Sequence, residues 1–145
     1  MIHAHPILAP MLALIAWTMI IMIWMMAERA RAFGKAGIAL GELPAGTRGP
    51  DLEPRLDPHA QWKAHNYNHL LEQPTVFYAL CLALALMGSE APVICVIAWV
   101  YIGLRIAHSL IQTTVNIVLY RGALFALSSL CLLALTVLTI WNALA

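Results

Sequence analysis

Long stretches without charge constrain this chain more than any other feature. Three of them contain no Asp, Glu, Lys or Arg: residues 3–27, 73–89 and 122–145. Each is close to the roughly 20 residues that cross the hydrocarbon core of a bilayer. A fourth segment, residues 91–116, is long enough to span although it contains Arg105 and His108. Only 10% of the residues are charged, against about a quarter in soluble domains. The sequence therefore predicts an all-α integral membrane protein, a four-helix bundle without a soluble domain.

Turn and cap residues indicate where the four helices begin and end. Asp57 followed by Pro58 predicts the start of the second helix, with Asp as the N-cap and Pro in the first turn. The segment before Asp57 is dense in Gly and Pro, which argues against regular structure there. Gly88–Glu90 and Tyr120–Gly122 are expected to be tight connections. We expect one domain over residues 1–145, with a loop at about 31–57 and helices at about 6–30, 58–87, 91–118 and 122–144.

Positive charges cluster around the predicted first loop. The Lys and Arg residues that flank it or lie in it are Arg29, Arg31, Lys35, Arg48, Arg55 and Lys63. The connection after the second helix has no Lys or Arg. By the positive-inside rule, the first loop is expected on the cytoplasmic side and both termini on the opposite side. No basic tract indicates a nucleic-acid partner.

Two of the predicted spans carry a stripe of polar residues at helical spacing. The stripe on the second helix is His65, Asn68 or His69, and Glu72, and the stripe on the third is Arg105, His108 with Ser109, Gln112 and Asn116. Such stripes are costly in a membrane unless they face protein or water. Glu72 and Arg105 are equidistant from the turn at Gly88, so they lie at similar depth in an antiparallel hairpin. We expect them to form an ion pair, either within one subunit or between two.

These stripes have a structural and a functional interpretation. Polar groups in membrane bundles often hydrogen-bond across helices merely to fix packing. Here, however, there are more polar groups than the fixing of helix packing requires. They extend toward one aqueous side of the membrane, as the residues of a binding cleft would. The spacing of His65, His69 and Glu72 would also suit metal ligands. We do not expect a metal site, because Arg105 nearby would repel a cation.

The same residues carry a family resemblance. The stretch "HNYNHLLEQPTVFYAL", followed by "AWVYIGLRIAHSLIQTTVNIVLYRGALF", resembles the MAPEG family, the membrane-associated proteins in eicosanoid and glutathione metabolism. The most specific parts are Glu72–Pro74, Arg105–Ser109 and Arg121, and the resemblance extends over nearly the whole chain. It implies a homotrimer of the bacterial type, placed in the inner membrane, with glutathione bound between neighbouring subunits near the cytoplasmic face.

The resemblance also implies roles for individual residues. Arg121 matches the arginine that stabilises the glutathione thiolate in prostaglandin E synthase-like members, so it is the expected catalytic residue. The expected glutathione-binding residues are Glu72, Arg105, His108, Asn68, His69, Gln112, Arg29 and Arg31. Arg29 or Arg31 would reach the carboxylates of the tripeptide.

The chain departs from the family pattern at four positions. His69 stands where the family enzymes usually have Asn, and Gln112 stands where a Tyr is common. Gly122 and Phe125 replace the Ser and Tyr of the prostaglandin synthase. The sequence therefore leaves two functions open. One is a membrane-bound glutathione transferase or peroxidase for lipophilic electrophiles. The other is a non-catalytic lipid-binding or scaffold protein of the same fold.

Overall fold

The chain consists of five α-helices in a computed structural model, which describes residues 5–89 and 91–144. Within those residues there is no strand, so the predicted all-α fold is confirmed. The loop between the first two long helices also contains 3-10 turns at Leu40–Glu42 and Glu53–Arg55. The helices are α1 (Leu8–Lys35), α2 (Gly49–Leu52), α3 (Pro58–Leu86), α4 (Pro92–Thr114) and α5 (Val118–Leu144).

Four of these helices, α1, α3, α4 and α5, are long and apolar enough to cross a membrane. Each keeps large apolar side chains on its outer surface, such as Ile23, Leu82, Val96 and Leu130, as expected for helices that face lipid. The 29 residues of α3 extend over about 44 Å, more than the hydrocarbon core of about 30 Å. Part of that helix therefore stands beyond the core. The prediction of an integral membrane bundle of four spanning helices is confirmed.

The bundle packs α1 against α3 and α4 against α5, with smaller contacts between the two pairs. Its apolar core lies between them, where the rings of Phe77 and Tyr101 stack with centroids 4.6 Å apart. Leu14 of α1, Leu84 of α3 and Leu135 of α5 are fully buried around this pair. Since lipid is as apolar as these side chains, close packing rather than exclusion from water holds such helices together.

The first loop is more ordered than its Gly and Pro content predicts. The first helix continues to Lys35, beyond the expected end near residue 30. The loop then folds back onto it, because Leu52 and Leu56 pack against Ala32 in a second apolar cluster. Asp57 caps α3 by accepting a hydrogen bond from the backbone N–H of His59 at 2.8 Å, as its position before Pro58 suggests. We call the end of the bundle beside this loop the loop end.

The connection between α4 and α5 lies earlier in the chain than the sequence suggests. The expected link was Tyr120–Gly122, but those residues lie inside α5, and the turn is formed by Val115–Ile117. Asn116 ends α4 because it adopts a positive φ of 53°, which Asn tolerates better than most residues. Arg121 is consequently held on a helix. In the connection expected at Gly88–Glu90, Glu90 lies outside the described residues.

Candidate functional site

An open cleft of about 360 Å³ lies at the loop end between α3, α4 and α5. Its lining residues are His65, His69, Glu72, His108, Gln112, Val118, Arg121, Gly122 and Phe125. The predicted site residues that the structure brings together here are Glu72, His69, His108, Gln112 and Arg121. They meet because α4 runs antiparallel to α3, which aligns the two polar stripes, and because α5 starts at the same end.

His69 lies at the centre of the cleft. Its ring packs on the ring of His108, with centroids 4.9 Å apart, and on the ring of Phe125 at 5.4 Å. Its Nδ1 is 2.9 Å from Oε2 of Glu72. Because a carboxylate oxygen only accepts, Nδ1 is the donor in this bond, and in a neutral ring Nε2 is left as an acceptor. His69 therefore forms part of the cleft floor, and Glu72 fixes its tautomer.

Arg105 is buried directly behind this floor. Its side chain has no exposed surface. One Nη donates to the backbone carbonyl of His69 at 3.0 Å, and the other donates to Oε1 of Gln73 at 3.4 Å. The amide nitrogen of Gln73 in turn donates to Ser129 Oγ at 2.8 Å. Arg105 thus joins α4 to α3 and, through Gln73, to α5.

The expected Glu72–Arg105 ion pair is absent within the chain. Over residues 5–89 and 91–144, the side-chain partner of Glu72 is His69, and Arg105 bonds to Gln73 and to a carbonyl. Adjacent residues on a helix point about 100° apart. Gln73 rather than Glu72 therefore faces α4, and 68% of the Glu72 side chain stays exposed. A pair between two subunits stays a prediction.

Arg121 is oriented at the rim of the cleft by the α4–α5 turn. One of its Nη atoms donates to Oδ1 of Asn116 at 2.8 Å. This is its one side-chain hydrogen bond within the part of the chain that the structure describes. A guanidinium has five N–H donors, so donors remain for a ligand. Helical spacing placed Asn116 on the stripe of α4, whereas it lies beyond the end of that helix and holds the arginine.

A buried polar network behind the cleft was not predicted. Ser109, next to His108, accepts hydrogen bonds from Nδ2 of Asn66 at 2.6 Å and from Nε1 of Trp17 at 3.0 Å. Asn66 is fully buried, although its sequence neighbours His65 and Tyr67 are exposed and partly exposed, respectively. The signal for its burial was available, because Asn66 lies one turn from Leu70, a core residue on the same face of α3.

Besides Arg105, which lies behind the floor, three predicted site residues do not line the cleft. Asn68 is exposed on α3. Arg31 bonds to Glu28 at 2.9 Å on α1. The guanidinium of Arg29 covers Gly49 so closely that a Cβ there would lie 2.7 Å from its Nη2.

The chemistry of the cleft suits a polar ligand that carries both charges and hydrogen-bonding groups. Arg121 supplies a cation and Glu72 supplies an anion, while the imidazoles of His69 and His108 supply further hydrogen-bonding groups. Oε1 of Gln112 is buried without a partner among the described residues, and buried acceptors normally have a donor. Within residues 5–89 and 91–144, no three His, Cys, Asp or Glu side chains converge as metal ligands. Val118 and Phe125 form an apolar wall on the α5 side.

Three comparisons with known proteins gave one match. No curated protein and no solved structure matches the chain. The sequence profile of the MAPEG family, however, matches residues 7–141. That range includes every residue of the cleft and the four spanning helices, except for the last three residues of α5. The chain belongs to the MAPEG family.

Proposed function

We propose that this protein is a glutathione-dependent transferase or peroxidase that acts on lipophilic electrophiles dissolved in the membrane. The observation that carries the proposal is the position of Arg121, which lines a cleft with a polar floor and an apolar wall and has one side-chain hydrogen bond among the described residues. Family membership supports glutathione as the cosubstrate. The polar floor would hold the tripeptide, and the apolar wall at Val118 and Phe125 would receive the second substrate from the lipid.

Arg121 would act on the thiol of glutathione. A cation beside the sulfur favours the thiolate, which is the reactive nucleophile, and the released proton passes to water. In a transfer reaction, the thiolate forms a bond to an electrophilic carbon, and the leaving group departs with the bonding electrons. In a peroxidase reaction, the thiolate attacks a hydroperoxide oxygen and releases the alcohol. A second glutathione then displaces water from the resulting sulfenic acid and forms the disulfide.

The floor residues would position the peptide part of glutathione. Glu72 uses one carboxylate oxygen for His69, so its other oxygen can accept from the ammonium group of the γ-glutamyl end. The unpartnered Oε1 of Gln112 can accept from a peptide N–H. His108 lines the cleft one turn before Gln112 on α4. Arg105, which bonds within the chain, would support the floor from behind.

A homotrimer would complete the site. Arg29, Arg31 and Asn68 do not line the cleft of their own subunit, and we infer that they contribute to a ligand bound against a neighbour. Asn68 is exposed on α3, and 69% of the Arg31 side chain is exposed. Crosslinking of the purified protein should therefore give a trimer, and a monomeric form that binds glutathione fully would exclude this part of the proposal.

The orientation of the bundle follows from the charge distribution. We propose that the first loop faces the cytoplasm of a bacterial cell, with the protein in the inner membrane and both termini on the far side. Glutathione would then enter at the loop end from the cytoplasm. An alkaline phosphatase fused to the C-terminus should be active, because that enzyme works only outside the cytoplasm. An inactive, stably expressed fusion would reverse the orientation.

Replacement of Arg121 by Gln tests the catalytic proposal. Conjugation of glutathione to an aryl halide should fall about 100-fold, as when one charge-stabilising donor is removed from an active site. Wild-type protein should bind glutathione more tightly than S-methylglutathione, which has no thiol, and the variant should bind both alike. The control is Arg48→Gln, because 81% of the Arg48 side chain is exposed on the loop, outside the cleft. Equal conjugation rates in the two variants would refute the role of Arg121.

The alternative is a non-catalytic lipid-binding or scaffold protein. The ring packing of His69 between His108 and Phe125 favours it, since these contacts already stabilise the floor without a ligand. Thermal unfolding with millimolar glutathione separates the two functions. A ligand that binds the folded state raises the midpoint of unfolding. No shift with glutathione, together with a shift from an apolar ligand, would favour the scaffold function.

A further inference from the structure

A second cavity lies at the loop end and shares no residue with the cleft. It has a volume of about 470 Å³ and lies between the end of α1, the 3-10 turn Glu53–Arg55 and the start of α3. Its lining residues are Glu28, Arg31, Ala32, Lys35, Ala36, Arg55, Asp57, His59, Ala60 and Lys63. The packing of Leu52 and Leu56 on Ala32 holds these three elements together, so the cavity is part of the folded loop.

The charges in this cavity are unbalanced in favour of cations. Its two carboxylates are already used: Glu28 bonds to Arg31 at 2.9 Å, and Asp57 caps α3. Over residues 5–89 and 91–144, Lys35 and Arg55 have no side-chain hydrogen bond and no ion pair. A pocket that gathers such cations from separate elements is suited to an anion with several oxygen atoms.

The position of the cavity relative to the membrane indicates that the anion would be a lipid headgroup. Glu28 is the first charged residue after the apolar part of α1, so the cavity begins where the hydrocarbon core ends. Trp24 lies one turn below Glu28 on the same face of α1, and Nζ of Lys63 is 5.3 Å from the centre of its ring. Trp and snorkelling Lys side chains are typical of the level of the lipid headgroups.

The surface below the cavity is apolar. Ile20 lies one turn below Trp24 on that face of α1, and 53% of its surface is exposed. An acyl chain could therefore lie along Ile20 and Trp24 while its headgroup occupies the cavity. Basic pockets at this level of a membrane protein are suited to the phosphate of anionic lipids.

We propose that this cavity is a phosphate-binding site for an anionic phospholipid, whose phosphodiester is held by Lys35, Arg55 and Lys63. Inorganic phosphate shares the chemistry of the headgroup, although it lacks the acyl chains that Ile20 and Trp24 would contact. Within one subunit, this cavity and the glutathione cleft have no residue in common.

Thermal unfolding of the delipidated full-length protein tests the proposal. The probes are detergent micelles that contain phosphatidylglycerol, micelles that contain phosphatidylcholine, and inorganic phosphate. Phosphatidylglycerol should raise the midpoint by about 2–4 °C, the shift expected for a ligand that binds only the folded state. Lys35→Gln and Arg55→Gln should each weaken the binding about fivefold, the equivalent of about 1 kcal/mol per cation near a membrane surface.

The matched control is Arg48→Gln, which removes a cation of the same loop that does not line the cavity. It should leave the phosphatidylglycerol shift unchanged. A shift with inorganic phosphate that the same two variants weaken would support the phosphate site and assign it to free phosphate. The proposal is overturned if no probe shifts the midpoint, if phosphatidylcholine acts as strongly as phosphatidylglycerol, or if all three variants respond alike.

Discussion

Two arginines at the loop end of this bundle show how the same residue type serves different purposes. Arg105 is fully buried and bonds to groups of its own chain, on α3. Arg121 is partly exposed at the rim of the cleft, where Asn116 holds one of its Nη atoms. The difference between them is the use of their donors. Arg105 joins helices, whereas most donors of Arg121 have no partner among the described residues.

This contrast separates the groups that link helices from the groups that line the cleft. The inner layer contains Arg105 with Gln73, and Ser109 with Asn66, and these groups link helices. The outer layer contains the groups that line the cleft. A substitution in the inner layer should therefore lower stability first, and a substitution in the outer layer should lower binding or activity first.

Arg105→Leu should have the largest effect on stability. It leaves Oε1 of Gln73 without its guanidinium donor and removes the bond from α4 to the His69 carbonyl, and an unsatisfied buried group costs about 1–3 kcal/mol. We expect the free energy of unfolding to fall by about 2–4 kcal/mol, measured by denaturation with sodium dodecyl sulfate. Arg121→Leu is the matched control and should lower it by about 1 kcal/mol or less. Equal losses of stability in the two variants would show that Arg105 does not contribute more to the packing of the helices than Arg121 does.

Ser109→Ala should have an intermediate effect that also reports on the inner layer. The change removes the acceptor of both Trp17 Nε1 and Asn66 Nδ2, which tie α1 and α3 to α4. We expect a loss of about 1–2 kcal/mol in the free energy of unfolding, because two buried donors lose their partner while polar bonds in membrane bundles are individually weak.

The control for Ser109 is Ser128→Ala. Ser128 is equally buried, but its hydroxyl donates only to the Phe125 carbonyl of its own helix. Its removal should therefore cost less than about 0.5 kcal/mol, since the change strands no partner on another helix. A larger loss for Ser128→Ala than for Ser109→Ala would show that the network does not link the helices.

The four spanning helices were predictable because the features that indicate them lie close together in the sequence. Runs without charge locate the spanning helices, and the spacing of polar residues locates the stripes that line the cleft. His69 and His108 could be matched in depth because α3 and α4 form an antiparallel hairpin, and their rings are indeed in contact. Arg121 was expected in the site because of the family resemblance, and in the structure it lines the cleft.

The contacts of the inner layer were less predictable, for a geometric reason. Equal depth identifies a turn of helix but not the rotation of that helix about its axis. Glu72 and Gln73 lie at nearly the same depth, and packing against α4 selects Gln73 as the partner of Arg105. The loop was unpredictable for a related reason, since Leu52 and Leu56 become ordered only by contact with α1, distant in sequence.

The last prediction concerns Asn116, which lies between the two layers. Asn116→Gly removes the acceptor of Arg121 and still permits the positive φ of the turn. We expect stability to change little and the kcat for glutathione conjugation to fall about fivefold, the loss of roughly 1 kcal/mol for one hydrogen bond. KM should change less, because Asn116 orients the guanidinium and does not line the cleft.

Asn116→Asp separates orientation from charge. The carboxylate keeps an acceptor for Arg121 and so preserves its position, but it also offsets the positive charge that would stabilise the thiolate. We expect this variant to be as stable as the wild type and to conjugate glutathione more slowly than Asn116→Gly. If Asn116→Asp instead kept full activity while Asn116→Gly lost it, orientation alone would matter and the charge of Arg121 would not act on the sulfur. If both variants kept full activity, Asn116 would have no role in positioning Arg121, and only the turn between α4 and α5 would depend on it.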